Sequence, residues 1–200
     1  LCMTLTAATE FSTTQWVEKI LGASGAQPML VLALVTGLMA VGRYFAGALV
    51  HRLNPVGVLL ISAVIATMGV FMLSQVTGPL TYVAAILFAV GICYFWPTMI
   101  GFTGEYLPET GALGMSLIGG AGMFSMSIWN PVIGSWLQGA RETAMATGVT
   151  GAEADLIAGQ ATLSILALIP ATLILFFGGL YFYMRGKEKP AILHGQVEQA

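Results

Sequence analysis

The chain has 200 residues, of which 57% are apolar and only 8% are Asp, Glu, Lys or Arg. Because soluble domains carry about 25% charged residues, this composition excludes an ordinary soluble domain and indicates a membrane protein. The net charge of -2 gives no reason to expect a nucleic-acid partner. Two cysteines, Cys2 and Cys93, lie in apolar segments, where we expect packing rather than a disulfide or a metal site.

The apolar segments are long enough to cross a membrane, which takes about 20 mostly apolar residues per helix. Six segments meet this requirement, at about 1–21, 28–50, 56–73, 80–102, 112–137 and 160–184. The sequence therefore predicts an all-α membrane protein, a six-helix bundle over residues 1–184 followed by a tail at 185–200. A longer polar loop is expected at 138–159. Because the chain begins at Leu1 without a visible signal peptide, we expect a piece of a longer protein.

The loops differ in positive charge, which predicts their orientation because cytoplasmic loops carry the excess of Lys and Arg. One side would hold five such residues and the other side two. The five are Arg43, Arg52, Arg185, Lys187 and Lys189, and the two are Lys19 and Arg141. We therefore expect the second-to-third loop, the fourth-to-fifth loop and the C-terminus to be cytoplasmic. The membrane is expected to be the plasma (inner) membrane.

Polar residues are distributed unevenly among the six segments. The third and sixth are rich in Val, Ile, Leu and Phe, whereas the first, fourth and fifth carry Glu, Gln, Asn, Tyr, Trp, Ser and Thr. Polar groups at membrane depth face the bundle interior or a water-filled cavity. The first and fourth segments, and also the fifth, are thus expected to line a wet cavity.

Glu10, midway along the first segment, is the strongest functional candidate. A lone carboxylate at that depth costs about 2.5–3.5 kcal/mol on insertion scales, and helical spacing would place Thr6, Thr13 and Thr14 on its face. Such a group suits proton coupling or the binding of hydroxyl groups. The alternative is a structural hydrogen bond to a neighbouring helix, or a position nearer the membrane surface.

Gln15 and Trp16 follow Glu10 within two turns of a helix. An amide that binds hydroxyls and an indole that stacks on a C–H face together suit a sugar. Trp16 fits equally well in the aromatic belt at the membrane surface.

The fourth and fifth segments add aromatic and amide groups beside prolines. In the fourth, Pro97 frees a backbone carbonyl and permits a kink. Cavity candidates there are Tyr94, Trp96 and Thr98, with Gly91, Tyr94 and Thr98 expected on one face. Core packing is the alternative. Asn130 is the candidate in the fifth segment, where Ser127 shares its face and glycines such as Gly119 are expected to serve close helix packing.

Three charged residues are candidates for a conformational latch. Arg43 and Arg52 would flank the cytoplasmic end of the second segment, and Glu105 would end the fourth. An ion pair among them could break when the protein changes conformation. Simple anchoring of the helix ends by solvated charges is the alternative.

Several motifs resemble those of the major facilitator superfamily of transporters. Residues 42–55, GRYFAGALVHRLNP, are similar to the loop motif between two helices of that family, although His51 stands where an acidic residue often precedes the Arg. The segments around Glu10, Arg43 and Trp96 look like those of sugar permeases of the fucose and glucose/galactose type. The chain resembles the C-terminal six-helix half of such a protein over nearly its whole length.

The resemblance implies a secondary active transporter that moves a small polar solute, a sugar above all, by alternating access and with proton coupling. Its partners would be the solute, a proton or another coupling ion, the lipid bilayer and the missing N-terminal half of the same chain. No cofactor and no metal are implied. We do not expect an enzyme, because the spans lack a His–Ser or metal-ligand set. A membrane scaffold or receptor-like protein, or a carrier of a non-sugar solute, remains the alternative.

Overall fold

The computed structural model describes residues 2–15, 26–52 and 54–185, with the side chains of 47–52 excepted. These residues contain helices and turns and no strand. The first helix, α1, is Cys2–Ala7 and continues as a π-helical turn, Ala8–Ser12. The others are α2 (Pro28–Arg52), α3 (Pro55–Gln75), α4 (Leu80–Ile92), α5 (Phe95–Tyr106), α6 (Gly111–Ala146), α7 (Ala152–Leu166) and α8 (Leu168–Met184), and a 3-10 turn, Pro108–Thr110, precedes α6.

Five stretches of the described residues are long and apolar enough to cross a membrane. They are Pro28–Ala46, Pro55–Gln75, Leu80–Tyr106, Pro108–Ala146 and Ala152–Met184. The expected all-helical membrane protein is thus confirmed at this level. The first expected span is described only over residues 2–15, and the assignment to half of a twelve-helix transporter stays a prediction.

Two of the long stretches are broken at prolines. α4 and α5 meet at a turn formed by Cys93 and Tyr94, and α7 and α8 meet at Ala167. A proline has no N–H to donate to the carbonyl four residues before it. Pro97 and Pro170 therefore leave the carbonyls of Cys93 and Leu166 without their usual helical donors, so a helical hydrogen bond is missing at each break.

The polar loop expected at 138–159 is wrong in its extent. α6 continues to Ala146 and α7 begins at Ala152, so only residues 147–151 connect them. The segment 138–146 is polar, but it contains Gln, Ala, Arg, Glu and Met, which are good helix formers. The actual turn coincides with Gly148 and Gly151, whose φ angles of 89° and 69° suit glycine.

The core lies between α3, α4, α7 and α8. Its largest fully buried side chains include Phe88 on α4 and Phe177 on α8. α3 and α4 approach so closely that Gly69 faces the backbone of Phe88 and Gly91 faces that of Ala66.

Contacts between helix ends show how the chain alternates between the two ends of the bundle. A Cβ at Gly57, near the start of α3, would lie 3.7 Å from the ring of Tyr181, near the end of α8. At the opposite end, the N–H of Gln27 donates to the hydroxyl of Tyr82, 3.1 Å away. The start of α3 and the end of α8 therefore share one end, and the starts of α2 and α4 share the other.

Candidate functional site

An open cleft of about 410 Å³ lies between the π-helical turn, α2, α5 and α6. Its lining residues are Glu10, Phe11, Arg43, Trp96, Pro97, Gly119 and Met123. This volume falls within the range of roughly 300–1,000 Å³ that is usual for small-molecule sites. Its walls are mostly apolar, with the two charged groups, Glu10 and Arg43, on one side.

The π-helical turn explains how Glu10 reaches the cleft. Single π-turns are rare and are often found at functional sites, because they change the register of the side chains that follow. Glu10 lines the cleft, whereas Thr13 and Thr14 line a separate, small apolar pocket with Val31 and Phe88. Glu10 and these two threonines thus line different pockets, although Thr14 lies one turn after Glu10 and donates to its carbonyl.

Glu10 forms an ion pair with Arg43 of α2. The distance from Arg43 Nη2 to Glu10 Oε1 is 2.5 Å. The Glu10 side chain is 3% exposed and that of Arg43 is 38% exposed. The second carboxylate oxygen of Glu10, Oε2, is buried and has no hydrogen-bond partner among the described residues.

Arg43 is not the last residue of α2, and the latch expected among Arg43, Arg52 and Glu105 stays a prediction. Arg43 follows Pro28 by fifteen residues and precedes Arg52, the last residue of α2, by nine. Nine residues of α-helix correspond to about 13 Å. Arg43 therefore reaches into the bundle, toward Glu10, rather than anchoring a helix end.

Pro97 gives Arg43 its second partner. Since Pro97 cannot donate to the carbonyl of Cys93, that oxygen is open to another donor. Arg43 Nε donates to it at 3.3 Å. The guanidinium of Arg43 thus connects α2, the π-helical turn and the break between α4 and α5.

Trp96 forms the aromatic wall of the cleft. Its ring lies edge-on to that of Phe11, with centroids 5.7 Å apart and an interplanar angle of 78°. The benzo edge of Trp96 faces two glycines of α6, Gly119 and Gly122. Its indole Nε1 is buried without a hydrogen-bond partner in the described part of the chain.

The structure separates the remaining candidates of the fourth segment from the cleft. Tyr94 lies at the break between α4 and α5, with its hydroxyl toward Gly42 of α2, and Thr98 is fully buried. Gly91 instead faces Ala66 of α3. The shared face expected for Gly91, Tyr94 and Thr98 is not found, because Gly91 faces α3 whereas the Tyr94 hydroxyl lies toward α2. The N–H of Thr98 still donates to the carbonyl of Tyr94, as in a regular helix.

The other candidate residues lie away from the cleft or outside the described part. Thr14 donates to the carbonyls of Glu10 and Phe11, and Gln15 is exposed. Asn130 Oδ1 is buried with no partner in the residues that the structure covers. Trp16 and the side chain of Arg52 lie outside the described residues. Glu105 is half-buried and makes no ion pair with any described side chain.

Three lining residues were missed by the sequence reasoning. Phe11 is adjacent to Glu10 in the π-helical turn and lines the same cleft. Gly119 was assigned to helix packing, and it does face Trp96, but it also lines the cleft. Met123, four residues later on α6, shares the face of Gly119. The spacing between these two residues is the only signal that could have found them.

The arrangement combines three chemical properties. It offers a carboxylate whose charge is balanced by one guanidinium, a buried carboxylate oxygen without a partner among the described residues, and an aromatic and thioether wall. A buried polar atom without a partner is costly, roughly 1–3 kcal/mol, so Oε2 calls for a proton, a water molecule or a ligand hydroxyl.

Comparison with known protein families, with curated proteins and with solved structures finds no match to this chain. Its candidate function therefore rests on the cleft and on the residues that line it.

Proposed function

We propose that the chain is part of a secondary active transporter that moves a small polar solute, a sugar above all, coupled to protons. The observation that carries this proposal is Glu10, a buried carboxylate that lines a cleft within a membrane bundle with one oxygen paired and the other free. Ionisable residues inside a membrane bundle are costly and mark ion or substrate pathways.

The Glu10–Arg43 pair supports proton coupling through its charge. Arginine stays protonated at all physiological pH values, so a proton that enters the cleft is taken by Glu10. Protonation removes the negative charge that holds the guanidinium and leaves Arg43 with the carbonyl of Cys93 as its remaining partner. The same proton therefore changes the contact between the π-helical turn and α2, which is the kind of link that coupling needs.

The wall of the cleft supports a hydroxylated solute. The free Oε2 of Glu10 can accept a hydrogen bond from a hydroxyl group, and Arg43 can donate one. The face of an indole packs well against the C–H groups of a sugar ring. Trp96 and Phe11 provide aromatic surface in the same cleft.

The proposed mechanism is alternating access, in which two halves of a carrier rock around a site near the middle of the membrane. In this proposal the six predicted spans form the C-terminal half of a major facilitator protein, in a plasma (inner) membrane with a cytoplasmic C-terminus. Arg43 lines the cleft and its side chain is 38% exposed, which is compatible with a second half that covers it. A scaffold or receptor-like protein that moves nothing, or a carrier of another solute, is the second candidate.

Glu10→Gln tests the proposal, because it keeps the shape of the side chain and removes its charge. De-energised cells that express the complete reading frame containing this chain are exposed to a panel of sugars while the external pH is recorded. We expect alkalinisation with at least one sugar. For Glu10→Gln we expect accumulation to fall by at least about tenfold, equivalent to ~1.4 kcal/mol, with sugar exchange retained.

Glu109→Gln is the matched control, because Glu109 is an exposed acid in the turn before α6. It should accumulate sugar as the wild type does. Unchanged accumulation by Glu10→Gln at equal expression would refute the coupling role of Glu10. Absence of any sugar response in the wild type would favour the scaffold or a carrier of another solute.

A further inference from the structure

The cleft has one wall that carries no side chain, the part of α6 at Gly119. This residue lines the cleft together with Trp96, and Met123 follows it on the same face of α6. A Cβ built at Gly119 would lie 3.9 Å from Trp96 Cζ3 and would meet no other atom within 4 Å. The position thus has room for a methyl group without disturbing the protein, and that room belongs to the cleft.

Gly122, one turn later, has a different role. A Cβ there would come within 3.1 Å of Met3 Cε and 3.2 Å of Trp96 Cη2 and Cζ2. Such distances are tighter than ordinary packing, so a side chain at this position would push the indole ring. Gly122 therefore fixes the position of Trp96, whereas Gly119 leaves space beside it.

The buried, unpaired Oε2 of Glu10 independently points to a ligand in the same cleft. Glu10, Trp96 and Gly119 line the same cleft, so a ligand that binds Glu10 there also lies beside Trp96 and α6. The width available to the rest of the ligand then depends on what projects from α6.

We propose that Gly119 sets the size of the sugar that the cleft accepts. This inference rests on the proposed function and adds a specificity residue to it. The missing side chain leaves space for the part of the sugar ring that lies beside Trp96. Adding one methyl group at Gly119 narrows the cleft and discriminates against larger sugars, while the charged groups stay in place.

The test uses radiolabelled xylose, galactose and lactose, a pentose, a hexose and a disaccharide, with cells that express the complete protein. The sugar that the wild type takes up fastest serves as tracer, and the other two serve as competitors. In Gly119→Ala we expect the larger sugars to lose at least about tenfold in apparent affinity relative to xylose, since one methyl group in an apolar pocket changes discrimination by 10–200-fold.

Two neighbouring glycines serve as controls at equal surface expression. Gly120→Ala should match the wild type, because a Cβ there meets nothing within 4 Å and the residue is exposed. Gly122→Ala should lower the uptake of all three sugars, because a Cβ there meets Met3 and Trp96 and displaces the wall of the cleft itself. Met123→Ala, which widens the cleft, should shift the ratio in favour of the larger sugars.

Size ratios in Gly119→Ala that equal those of the wild type, in a protein that still takes up sugar, would overturn the role of Gly119 and leave the proposed function standing. No uptake of any of the three sugars by the wild type would overturn both.

Discussion

The interface between α3 and α4 and the walls of the cleft are built in opposite ways. At the α3–α4 interface the helices are regular, and Gly69 and Gly91 let the two backbones touch without a gap. Around the cleft the helices are irregular, with a π-helical turn at Glu10 and a break before Pro97. In an 18-residue apolar stretch of Pro55–Gln75, 50% of the residues are buried inside the bundle. In the corresponding stretch of Pro108–Ala146, only 17% are buried.

This difference indicates that the α3–α4 interface and the helices around the cleft have different roles in the bundle. Irregular backbone at membrane depth is tolerated where it is buried in protein or lines a cavity, because its polar groups then find partners. Arg43 donates to the carbonyl of Cys93, which Pro97 leaves without a helical donor, and it also forms the ion pair with Glu10. The regular α3–α4 pair is therefore the support, and the irregular helices carry the polar chemistry.

The largest expected effect comes from a substitution that disrupts the packing of α3 against α4. Gly91→Val would place a side chain against the backbone of Ala66, where even a Cβ has no room. Overpacking costs about 1–3 kcal/mol and more when the backbone must move, so we expect most of the protein to be lost as folded material. Size-exclusion chromatography of the detergent-solubilised protein and its thermal unfolding midpoint measure this loss.

Gly101→Val is the control for this substitution, because a Cβ at Gly101 meets nothing within 4 Å. It should fold nearly as the wild type does. A folded, thermally stable Gly91→Val protein would show that α3 and α4 do not touch as described.

A smaller effect on stability, but a clear one on transport, is expected from Pro97→Ala. The new N–H can donate to the carbonyl of Cys93 and so compete with Arg43. We expect unchanged or higher thermal stability together with initial uptake that falls by roughly tenfold, the effect of about 1.4 kcal/mol on a barrier. This result would separate the fold from the positioning of Arg43.

Pro131→Ala provides a matched comparison at a second proline. Pro131 lies inside α6, which remains one continuous helix, and it is exposed and away from the cleft. It should leave uptake close to the wild-type level. Equal losses in both variants would mean that proline removal acts through general helix stiffness and not through Arg43.

Much of the fold was predictable, because apolar length and turn residues depend on composition along the chain. Asn54, for example, caps the start of α3, and its side chain accepts a hydrogen bond from the N–H of Val56. The extent of α6 was not predictable from polarity, since residues 138–146 are polar and yet form helix readily. Hydropathy predicts which residues lie within the membrane, and it does not predict the residue at which a helix ends.

The site was predictable only in part. Glu10, Arg43 and Trp96 stood out because charge and aromatic groups are conspicuous in apolar segments. Their grouping was not predictable, since it depends on the π-helical turn around Glu10 and on how α2, α5 and α6 pack around the cleft. The ion pair between Glu10 and Arg43 joins residues 33 positions apart, and no spacing rule within one helix can find it.

The smallest effect is expected at the second ion pair, which shares the chemistry of the first but not its surroundings. Arg141 Nε of α6 lies 2.7 Å from Asp155 Oδ1 of α7, and the two side chains are 51% and 41% exposed. Exposed ion pairs contribute about 0–1 kcal/mol. Arg141→Ala should therefore lower the unfolding free energy by less than about 1 kcal/mol and should leave uptake unchanged.

Asp155→Asn should lower the unfolding free energy slightly more than Arg141→Ala does. Asp155 also lies in the first turn of α7, where a negative charge interacts favourably with the helix dipole. Uptake could instead fall as much in Arg141→Ala as in Glu10→Gln. That result would contradict the view that uptake depends on the buried Glu10–Arg43 pair in the cleft and not on exposed ion pairs.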